Sequence, residues 1–565
     1  MMQSKLIRPK ATRKLRIIPL GGLEEVGRNM TLFEYGNEII IVDMGLQFPE
    51  EDMPGIDYII PNINYLKGKE QNIKGVFITH GHYDHIGAIP HLMPKLGNPP
   101  LFTAALTAGI IKRRQEDYPN GQTLNIKVVN FESRVALGNF KVEFFHVNHS
   151  IPDTLGIAIH TPEGLVIHTG DFKFDNSPTT DKPADIGRIA YLGAQNVLVL
   201  LSDSTGAEKP GYSISEFEIQ KTLDDVFSKA TGRMIVATFS SLVSRVQQII
   251  TLSEKYGRRV AIDGYSMRTT VEIANKLGYL KIKKGTLIKP EQMSNYPDDK
   301  VSLMCTGAQG EGKAVLMRIV NGEHRYVRVK KDDTVIFSSS VVPGNERTVQ
   351  NLKDQLYRQG ANVIHYQMMD VHAGGHALTE DLKMMINLIK PKYFIPIHGN
   401  YYMLRLHAKI AESVGIPAAN TIVAGNGKVI EFTKNSAMMT KEKIPSNYVM
   451  VDGLGVGDVG NVVLRDRQQM SKDGMFTIIV IVDSKTGKVV GTPDIISRGF
   501  IYMKGSMELI NETKAKVTEL VNKKSTAEHN TNWAYVKDNI RDNIGQFLFN
   551  RTERRPMVLP VVIEV

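Results

Sequence analysis

A dense group of potential metal ligands stands in the segment THGHYDHIG. His80, His82, Asp84 and His85 fall within six residues, directly after the apolar run GVFIT, which has the composition of a β-strand. Neutral imidazoles and carboxylates are ligands that suit zinc or manganese. The glycines beside them let the loop curl so that the side chains converge. The segment therefore predicts a metal site at the point where a strand ends.

Further ligands for a hydrolytic metal site stand at the ends of other predicted strands. His149 lies just past the strand FKVEFFHV, whereas His146 keeps the alternation of that strand and is predicted to pack within it. Asp171 follows a glycine turn in HTGDFKF, where a carboxylate can bridge two metal ions. His398 ends the strand YFIPIHGN. Sites in layered α/β proteins are assembled at strand ends, so we expect these groups to meet.

The composition is that of an ordinary folded protein. Of 565 residues, 42% are hydrophobic and 23% are charged, which excludes a disordered chain and, at about 150 residues per domain, predicts three to four domains. The 69 basic and 59 acidic residues give a net charge of +10, which invites a polyanionic partner such as nucleic acid. No uninterrupted run of about 18 apolar residues occurs, so no membrane association is expected.

The cysteine content and the N-terminus indicate where the protein acts. A single cysteine, Cys305, excludes an intramolecular disulfide and a thiolate zinc site, and it suits the reducing cytoplasm, where we expect the protein to act. The first residues, MMQSKLIRPKATRKLR, are basic but lack the apolar run of a signal peptide. Residues 1–14 are therefore predicted to be a solvated basic tail, with an arm that touches RNA phosphates as the alternative.

The pattern of predicted elements changes along the chain. Residues 15–211 consist of short apolar strands that end in glycine-containing turns, and residues 365–435 return to that style. Between them, residues 212–364 alternate strands with amphipathic helices, which predicts an inserted doubly wound parallel sheet. A polar, lysine-rich linker is predicted at 436–450. Residues 451–565 are expected to form a small α+β domain.

Taken together, these segments resemble a known family. The pattern His-x-His-x-Asp-His followed by a distant His, Asp and His is the signature of the metallo-β-lactamase superfamily. VHAGGHA and PIHGNY look like its nucleic-acid-processing β-CASP branch, and PGIDYIIP, HSIPDT, HTGDFKFD, LLSDST and PDIISRGF are similar to ribonuclease J. The likeness runs from about residue 15 to residue 565. It implies an α/β fold: a metallo-β-lactamase αββα sandwich, an inserted parallel-sheet β-CASP domain and a small α+β C-terminal domain.

The resemblance implies two divalent metal ions per subunit, with zinc favoured and manganese or magnesium as alternatives. The implied ligands of one ion are His80, His82 and His149. Those of the other ion are Asp84, His85 and His398, and Asp171 would bind both ions. Asp43 and Asp203 match acidic positions that orient the ligand imidazoles. His376 would donate a hydrogen bond to the phosphate or to the leaving oxygen. We therefore expect Asp84, Asp171 and His376 to act in catalysis.

A second set of residues would hold RNA. Hydroxyl-rich loops, which suit phosphate oxygens, follow two strands of the inserted domain and contain Ser240, Ser241, Ser338, Ser339 and Ser340. The resemblance places a 5′-monophosphate pocket near the domain junction and adds the loop His372, Ala373, Gly374, Gly375 and His376.

This chain departs from the family at two places. The family usually carries Thr and Ser where this chain has Ala373 and Gly374, so side-chain hydrogen bonds to phosphate are lost while the backbone N–H groups remain. Tyr83 replaces an acidic residue of the metal motif and is expected to point away from the ligands.

The leading hypothesis is a two-metal ribonuclease that acts on single-stranded RNA, both as a 5′-to-3′ exonuclease favouring 5′-monophosphate ends and as an endonuclease, in RNA decay and in rRNA and mRNA maturation. A catalytically weak RNA-binding or scaffold subunit of a ribonuclease J complex is the first alternative. A small-molecule hydrolase such as a thioesterase or lactonase is the second, and the inserted domain, His376 and the basic charge balance argue against it. The resemblance also implies a homodimer or homotetramer formed through the C-terminal domain.

Overall fold

The computed structural model describes residues 13–118, 121–342, 344–524 and 532–565. The basic tail predicted at 1–14 lies outside them, apart from Arg13 and Lys14. The chain divides into two compact units, of which the first runs through Gln47 and from Ile60 to Tyr448, and the second comprises Phe48–Ile59 and Val449–Val565. Among the described residues, no helix combines the length and the apolar character that crossing a membrane requires.

Short strands dominate the chain up to residue 203. Its strands and helices are, in chain order, β1 (Leu15–Gly21), β2 (Leu23–Glu24), β3 (Met30–Tyr35), β4 (Glu38–Val42), β5 (Tyr58–Ile60), β6 (Ile73–Phe77), α1 (Tyr83–Ile86), α2 (Ile89–Leu92), β7 (Leu101–Thr103), α3 (Ala105–Gln115), β8 (Ile126–Val128), β9 (Arg134–Leu137), β10 (Phe140–His146), β11 (Leu155–Thr161), β12 (Gly164–His168), α4 (Ile186–Gly193) and β13 (Val197–Asp203).

Strands and helices then alternate regularly. This part contains α5 (Glu216–Lys229), β14 (Met234–Ala237), α6 (Val243–Lys255), β15 (Arg259–Asp263), α7 (Tyr265–Lys276), β16 (Leu287–Ile288), β17 (Val301–Cys305), α8 (Val315–Val320), β18 (Thr334–Phe337), α9 (Glu346–Arg358) and β19 (Asn362–His365). The first unit ends with α10 (Thr379–Ile389), β20 (Tyr393–Ile397), β21 (Gly399–Asn400), α11 (Tyr401–Ser413), β22 (Lys428–Phe432) and β23 (Ala437–Lys443).

Two mixed sheets of the first unit form a sandwich. The larger has the strand order β23-β22-β1-β3-β4-β6-β7-β8, and the smaller has the order β20-β13-β12-β11-β10-β9. Phe33 and Phe77 from the larger sheet share one buried core with Phe144, Val199 and Ile395 from the smaller sheet. On its other face the smaller sheet packs against α4, α10 and α11. Burial on both faces explains why its central strands are continuous apolar runs.

Polar residues of the candidate site lie at the carboxyl ends of the parallel strands of the sandwich. β4 and β6 are parallel neighbours, and Asp43 and His80 follow them. In the smaller sheet β12, β13 and β20 are parallel neighbours, and they lead to Asp171, Asp203 and His398. Parallel strands end at the same edge of a sheet, so each sheet presents its polar residues together.

A doubly wound domain is inserted between β13 and β20. Its sheet has the order β16-β15-β17-β14-β18-β19, and all its strand pairs are parallel. Buried clusters on its two faces contain residues of α5, α6 and α7 on one side and of α8 and α9 on the other. This is the arrangement that the strand–helix alternation predicts.

The second unit is a small α+β structure. Its remaining elements are β24 (Val449–Asp452), β25 (Gly455–Val456), α12 (Asn461–Asp473), β26 (Met475–Val482), β27 (Asp494–Arg498), α13 (Met507–Lys524), α14 (Trp533–Thr552) and β28 (Met557–Glu564). The sheet β27-β26-β28 packs one face against α13 and α14, with Phe476, Ile478 and Val480 in the buried core.

The structure differs from the sequence-based interpretation in two segments. Residues 437–443, within the predicted linker, form β23, which pairs antiparallel with β22 at the edge of the larger sheet. Its side chains are mostly exposed, so the polar composition of an edge strand resembled that of a linker. Residues 48–59 join the second unit rather than the sandwich, and the Asp57 amide donates to the Val451 carbonyl at 2.9 Å. Nothing in the local sequence indicates such a distant partner.

Candidate metal centre

Three histidines meet at one point. Nε2 of His80 and Nδ1 of His82 are 3.0 Å apart, and Nε2 of His149 lies 3.1 Å from the same His82 nitrogen. His80 and His149 are buried, and His82 is half-buried. Nitrogens this close together suit a shared ion held at about 2.0–2.1 Å from each. The three-histidine group thus has the donor set and the spacing of a metal subsite.

A second group combines two carboxylates with two imidazoles. Oδ2 of Asp84 lies 3.4 Å from Nε2 of His85 and 3.2 Å from Nε2 of His398. Oδ2 of Asp171 lies 3.2 Å from the same His85 nitrogen. The backbone of His398 has φ of +52°, a left-handed conformation that is uncommon outside glycine and is typical of functional sites.

Asp171 faces both groups with one oxygen atom. Besides its approach to His85, its Oδ2 lies 3.8 Å from Nε2 of His80 and 3.9 Å from Nε2 of His149. Its other oxygen lies 3.6 Å from Nδ1 of His398. The carboxylate is buried, so these imidazoles are its immediate surroundings. Asp171 therefore lies between the three-histidine group and the group of Asp84, His85 and His398.

Hydrogen bonds from the protein fix the orientation of His80 and His85. The Thr79 hydroxyl lies 3.1 and 3.0 Å from the two Asp43 oxygens and 3.0 Å from Nδ1 of His80. Because the hydroxyl gives its one proton to the carboxylate, it must accept from the His80 Nδ1–H group. Nδ1 of His85 donates directly to Oδ2 of Asp43 at 2.8 Å. Both rings therefore turn Nε2 toward the cluster.

The same arrangement recurs at the other end of the site. The Thr205 hydroxyl lies 2.8 Å from Oδ1 of Asp203 and 2.8 Å from Nδ1 of His398. Nδ1 of His149 lies 2.6 Å from the Gly375 carbonyl, to which it must donate. Sequence reasoning assigned Asp43 and Asp203 to orienting roles but did not single out Thr79, Thr205 or the Gly375 carbonyl for them. The two threonines stand beside named residues in the chain, but only the fold shows what they bond.

Burial and charge divide the imidazoles into two classes. Burial, reinforced by neighbouring histidines, lowers the pKa values of His80 and His149 well below the ordinary value, and burial lowers the pKa of His82 to about 4. Uncharged imidazole is the form that binds a metal ion. At the second group burial opposes charging of His85 and His398, but carboxylates led by Asp171 outweigh it and raise both pKa values, that of His398 to about 10.

The carboxylates show the complementary effect. Burial works to raise the pKa of Asp84 and Asp203, yet the adjacent histidines hold both pKa values well below the ordinary value. A pocket in which carboxylates stay ionised stabilises positive charge between them. The donor types, the spacing and this field all fit divalent cations.

His376 lies at the edge of the cluster, beside Asp203. Its Nδ1 is 2.8 Å from Oδ2 of Asp203 and 4.0 Å from Oδ2 of Asp171. Burial disfavours its charged form, but Asp203 and Asp171 raise its pKa above the ordinary value. Its side chain is 27% exposed, so unlike His85 and His398 it can be approached from solvent.

The residues expected to hold RNA divide by exposure. Ser338 and Ser339 are buried, which differs from the expectation that they contact phosphate. The Ser338 hydroxyl donates to the Val371 carbonyl at 2.7 Å, and Ser339 accepts from Gln309 at 3.2 Å. Ser240, Ser241 and Ser340 are half-buried. A serine at a strand end can thus form hydrogen bonds inside the domain instead of binding a ligand, and its position in the sequence does not distinguish the two.

The loop that carries His376 is close to the three-histidine group. Gly374 is exposed, Ala373 is buried, and His372 and Gly375 are half-buried. Gly375 is in contact with His149, since a Cβ at this position would lie 2.5 Å from Cε1 of that ring. His146, which is predicted to pack within its strand, does not join the cluster, since its Nε2 lies 2.9 Å from the Lys182 carbonyl.

Family models match the chain along most of its length. The matches are a metallo-beta-lactamase superfamily model over residues 23–204, a ribonuclease J beta-CASP domain model over 231–356, a Zn-dependent metallo-hydrolase RNA specificity domain model over 363–420 and a ribonuclease J C-terminal domain model over 462–565. The predicted sandwich with an inserted domain and a C-terminal domain is therefore confirmed.

Characterised relatives extend the likeness over the whole chain. Ribonuclease J2 of Bacillus subtilis is 38% identical over 99% of this chain and 100% of its own length. Ribonuclease J 1 of Streptococcus pyogenes is 41% identical over 97% of each chain. A crystal structure of a protein of unknown function from Enterococcus faecalis covers 74% of this chain with a TM-score of 0.53 at 15% identity, a likeness of fold alone.

Proposed function

The chain belongs to the ribonuclease J family of metal-dependent ribonucleases, and from that premise we propose that it hydrolyses single-stranded RNA in the cytoplasm, as a 5′-to-3′ exonuclease favouring 5′-monophosphate ends and as an endonuclease. RNA decay and the maturation of rRNA and mRNA are the processes it would serve. The observation that carries the proposal is the convergence of two groups of competent ligands on either side of Asp171.

The ligands divide between two ions, with zinc favoured over manganese or magnesium. His80, His82 and His149 would hold one, Asp84, His85 and His398 the other, and Asp171 both. When bound, two such ions lower the pKa of a water molecule and neutralise charge on the phosphate oxygens. Asp43 and Thr79, with Asp203 and Thr205, keep the imidazoles turned so that the same nitrogens always face the site.

His376 is proposed to act on the substrate directly. The hydrogen bond from its Nδ1 to Asp203 fixes the ring and leaves Nε2 as the atom that can present a proton to a phosphate oxygen or to the departing 3′-oxygen. The ring is partly exposed at the edge of the carboxylate group, where a phosphodiester can reach it. Asp171 and Asp84 would serve catalysis by holding the metal ions.

Backbone groups are proposed to bind the 5′-phosphate. Gly374 is exposed, and the described backbone from 372 to 376 makes no backbone–backbone hydrogen bond. Free N–H groups on such a loop suit phosphate oxygens, and glycine permits close approach. Ser240, Ser241 and Ser340 would add hydroxyls from the inserted domain. Because Ala373 and Gly374 lack hydroxyls, phosphate binding on this loop would fall to its backbone. The alternative, an RNA-binding subunit with weak catalysis, is opposed by the competent residues at all seven ligand positions.

We also propose that the protein assembles into a homodimer or homotetramer through its C-terminal unit. The support is an apolar sheet face there, on which Ile481, Ile496, Val561 and Ile563 are exposed. Sedimentation velocity would show a single monomeric species if this part of the proposal is wrong.

The experiment that tests the function uses one uniformly labelled single-stranded RNA in two forms, with a 5′-monophosphate and with a 5′-triphosphate. Release of mononucleotides mainly from the monophosphorylated form supports the exonuclease and its 5′ preference together. Discrete internal fragments from both forms would leave only the endonuclease. Bound but uncleaved RNA, in zinc and in manganese, would favour the scaffold alternative.

A further inference from the structure

One arginine of the inserted domain is fully buried and makes four directional hydrogen bonds. Arg245 lies in α6 and is 0% exposed. Its Nε donates to Oε1 of Gln248 at 2.7 Å, and its Nη2 donates to Oε2 of Glu216 at 2.8 Å. Its Nη1 donates to the Val371 carbonyl at 2.6 Å and to the Ser338 hydroxyl. A buried guanidinium is tolerated only when charge and donors are matched in this way.

The positive charge of Arg245 is balanced by the carboxylate of Glu216. Burial would raise the pKa of Glu216, but Arg245 and Lys173 outweigh it and lower that pKa to about 2. Glu216, which lies in α5, therefore stays ionised and accepts a hydrogen bond from Nη2 of the Arg245 guanidinium. Nη1, on the other side of the planar guanidinium, donates to the Val371 carbonyl. Lysine, a single point charge, cannot reproduce this geometry.

Val371 is where the loop of residues 372–376 begins. Its carbonyl accepts from Arg245 at 2.6 Å and from the Ser338 hydroxyl at 2.7 Å. At the other end of the loop, the Ala377 amide donates to the Phe172 carbonyl at 2.6 Å. In the part of the chain that the structure describes, the intervening backbone forms no further backbone–backbone hydrogen bond. The backbone of the loop is therefore held at its two ends, and side-chain hydrogen bonds supply its other contacts.

The loop reaches the metal centre through its last residues. The Gly375 carbonyl accepts from Nδ1 of His149 at 2.6 Å, and Nδ1 of His376 lies 2.8 Å from Asp203. A displacement of the loop would move the acceptor that orients His149. Outer hydrogen-bond partners of this kind change metal affinity by about 10–100-fold when they are lost.

We propose that Arg245 is a positioning residue of the metal centre: by holding Val371, it sets the loop whose Gly375 carbonyl orients His149, and so it controls how tightly the three-histidine group retains its ion. This inference rests on the proposed function for the presence of metal, and on the contacts above for the role of Arg245. It links the interior of the inserted domain to a metal ligand of the sandwich.

The test measures metal release from the full-length, zinc-loaded protein into a chromogenic chelator, without RNA. The variants are Arg245→Lys and the milder Ser338→Ala, which removes the second donor to Val371. The matched control is Arg258→Lys, because Arg258 is also a buried arginine of the inserted domain but donates, among the described residues, to the backbone carbonyls of Ala230, Gly232 and Val301 alone. The release phase of the three-histidine group is identified by its absence in His82→Ala.

We expect Arg245→Lys to accelerate that phase about 10-fold and Ser338→Ala to accelerate it about 3-fold, with the other phase unchanged. Arg258→Lys should release both ions at the wild-type rate, even where its thermal midpoint falls. Equal acceleration in the two arginine variants would assign the effect to general loosening and overturn the proposal, as would no change in Arg245→Lys. If that variant does not fold, Ser338→Ala decides in the same way.

The outcome is separable from that of the proposed function. Wild-type protein that retains zinc but fails to cleave RNA would overturn the ribonuclease proposal and leave the role of Arg245 intact. Normal cleavage of RNA by the wild type, together with unchanged metal release in the variants, would support the ribonuclease proposal and overturn the role of Arg245. Wild-type protein that takes up no zinc would overturn both.

Discussion

The Gly375 carbonyl lies 2.6 Å from Nδ1 of His149, so the loop that carries His376 also orients a ligand of the three-histidine group. The two residues are far apart in the chain and belong to different parts of the sandwich domain. Their contact means that the proposed phosphate-binding loop and the metal centre cannot move independently. The linkage is reciprocal: whatever orders the loop also favours the bound ion.

Gly375→Ala tests this contact directly. A Cβ there would lie 2.5 Å from Cε1 and 2.7 Å from Nδ1 of His149, so the imidazole must turn away. We expect the zinc affinity of the three-histidine group to fall at least about 10-fold, measured by chelator competition. Gly374→Ala is the matched control because a Cβ there has nothing within 4 Å. Equal zinc affinities in the two variants would contradict the account.

Thr205 should matter to the second group through its hydroxyl alone. In Thr205→Val, Nδ1 of His398 and Oδ1 of Asp203 both lose the hydroxyl without a change in side-chain shape, and Oδ1 keeps only the Thr205 amide and the more distant His398 nitrogen at 3.4 Å. The affinity for the second ion is expected to fall about 10–100-fold, whereas Thr205→Ser should retain it. Titration of the two variants with zinc measures the difference. A serine variant as weak as the valine variant would show that the methyl group, not the hydroxyl, supports the site.

Substitution of His376 should slow turnover without loss of metal. His376→Gln removes the proton proposed to reach the phosphate or leaving oxygen, and a loss of about 10²–10⁴-fold in kcat is expected. Metal content, determined on the same sample, should stay at two ions per chain because His376 is not one of the proposed ligands. Loss of an ion in this variant would move His376 into the ligand set.

The Glu216–Arg245 pair should contribute stability that depends on pH. The folded-state pKa of Glu216, about 2, lies below the ordinary value of 4.5, so the stabilisation is present above about pH 4.5 and is lost as the pH falls toward 2. The shift corresponds to about 3 kcal/mol at neutral pH. The thermal midpoints of wild type and Glu216→Gln should therefore differ most at neutral pH and converge in acid. A difference that stays constant with pH would exclude this assignment.

Much of the fold could be predicted from the sequence because its signals are local. The apolar strands that end in His80, Asp171 or His398 show where side chains leave a sheet, and strand–helix alternation identifies the inserted parallel sheet. The candidate ligands can be predicted for the same reason, because each is a histidine or an aspartate that stands at or near the end of a predicted strand.

What the sequence could not predict depends on distant partners. Ser338 stands at a strand end like a ligand-binding serine, but Arg245 and Val371 engage it inside the domain. The orienting role of the Gly375 carbonyl has no side-chain signature at all. Residues 48–59 join a unit built from the other end of the chain, and the edge strand at 437–443 has the polar composition of a connection.

Asp171 is proposed to hold both of the ions at which RNA is cleaved. The most direct measurement compares wild type with Asp171→Asn, which keeps the shape of the side chain but removes its charge, and follows both the cleavage of labelled single-stranded RNA and the metal content. The account predicts that wild type binds two ions per chain and cleaves, whereas Asp171→Asn loses at least one ion and its cleavage while still binding RNA. An Asp171→Asn protein that cleaves at the wild-type rate would contradict it.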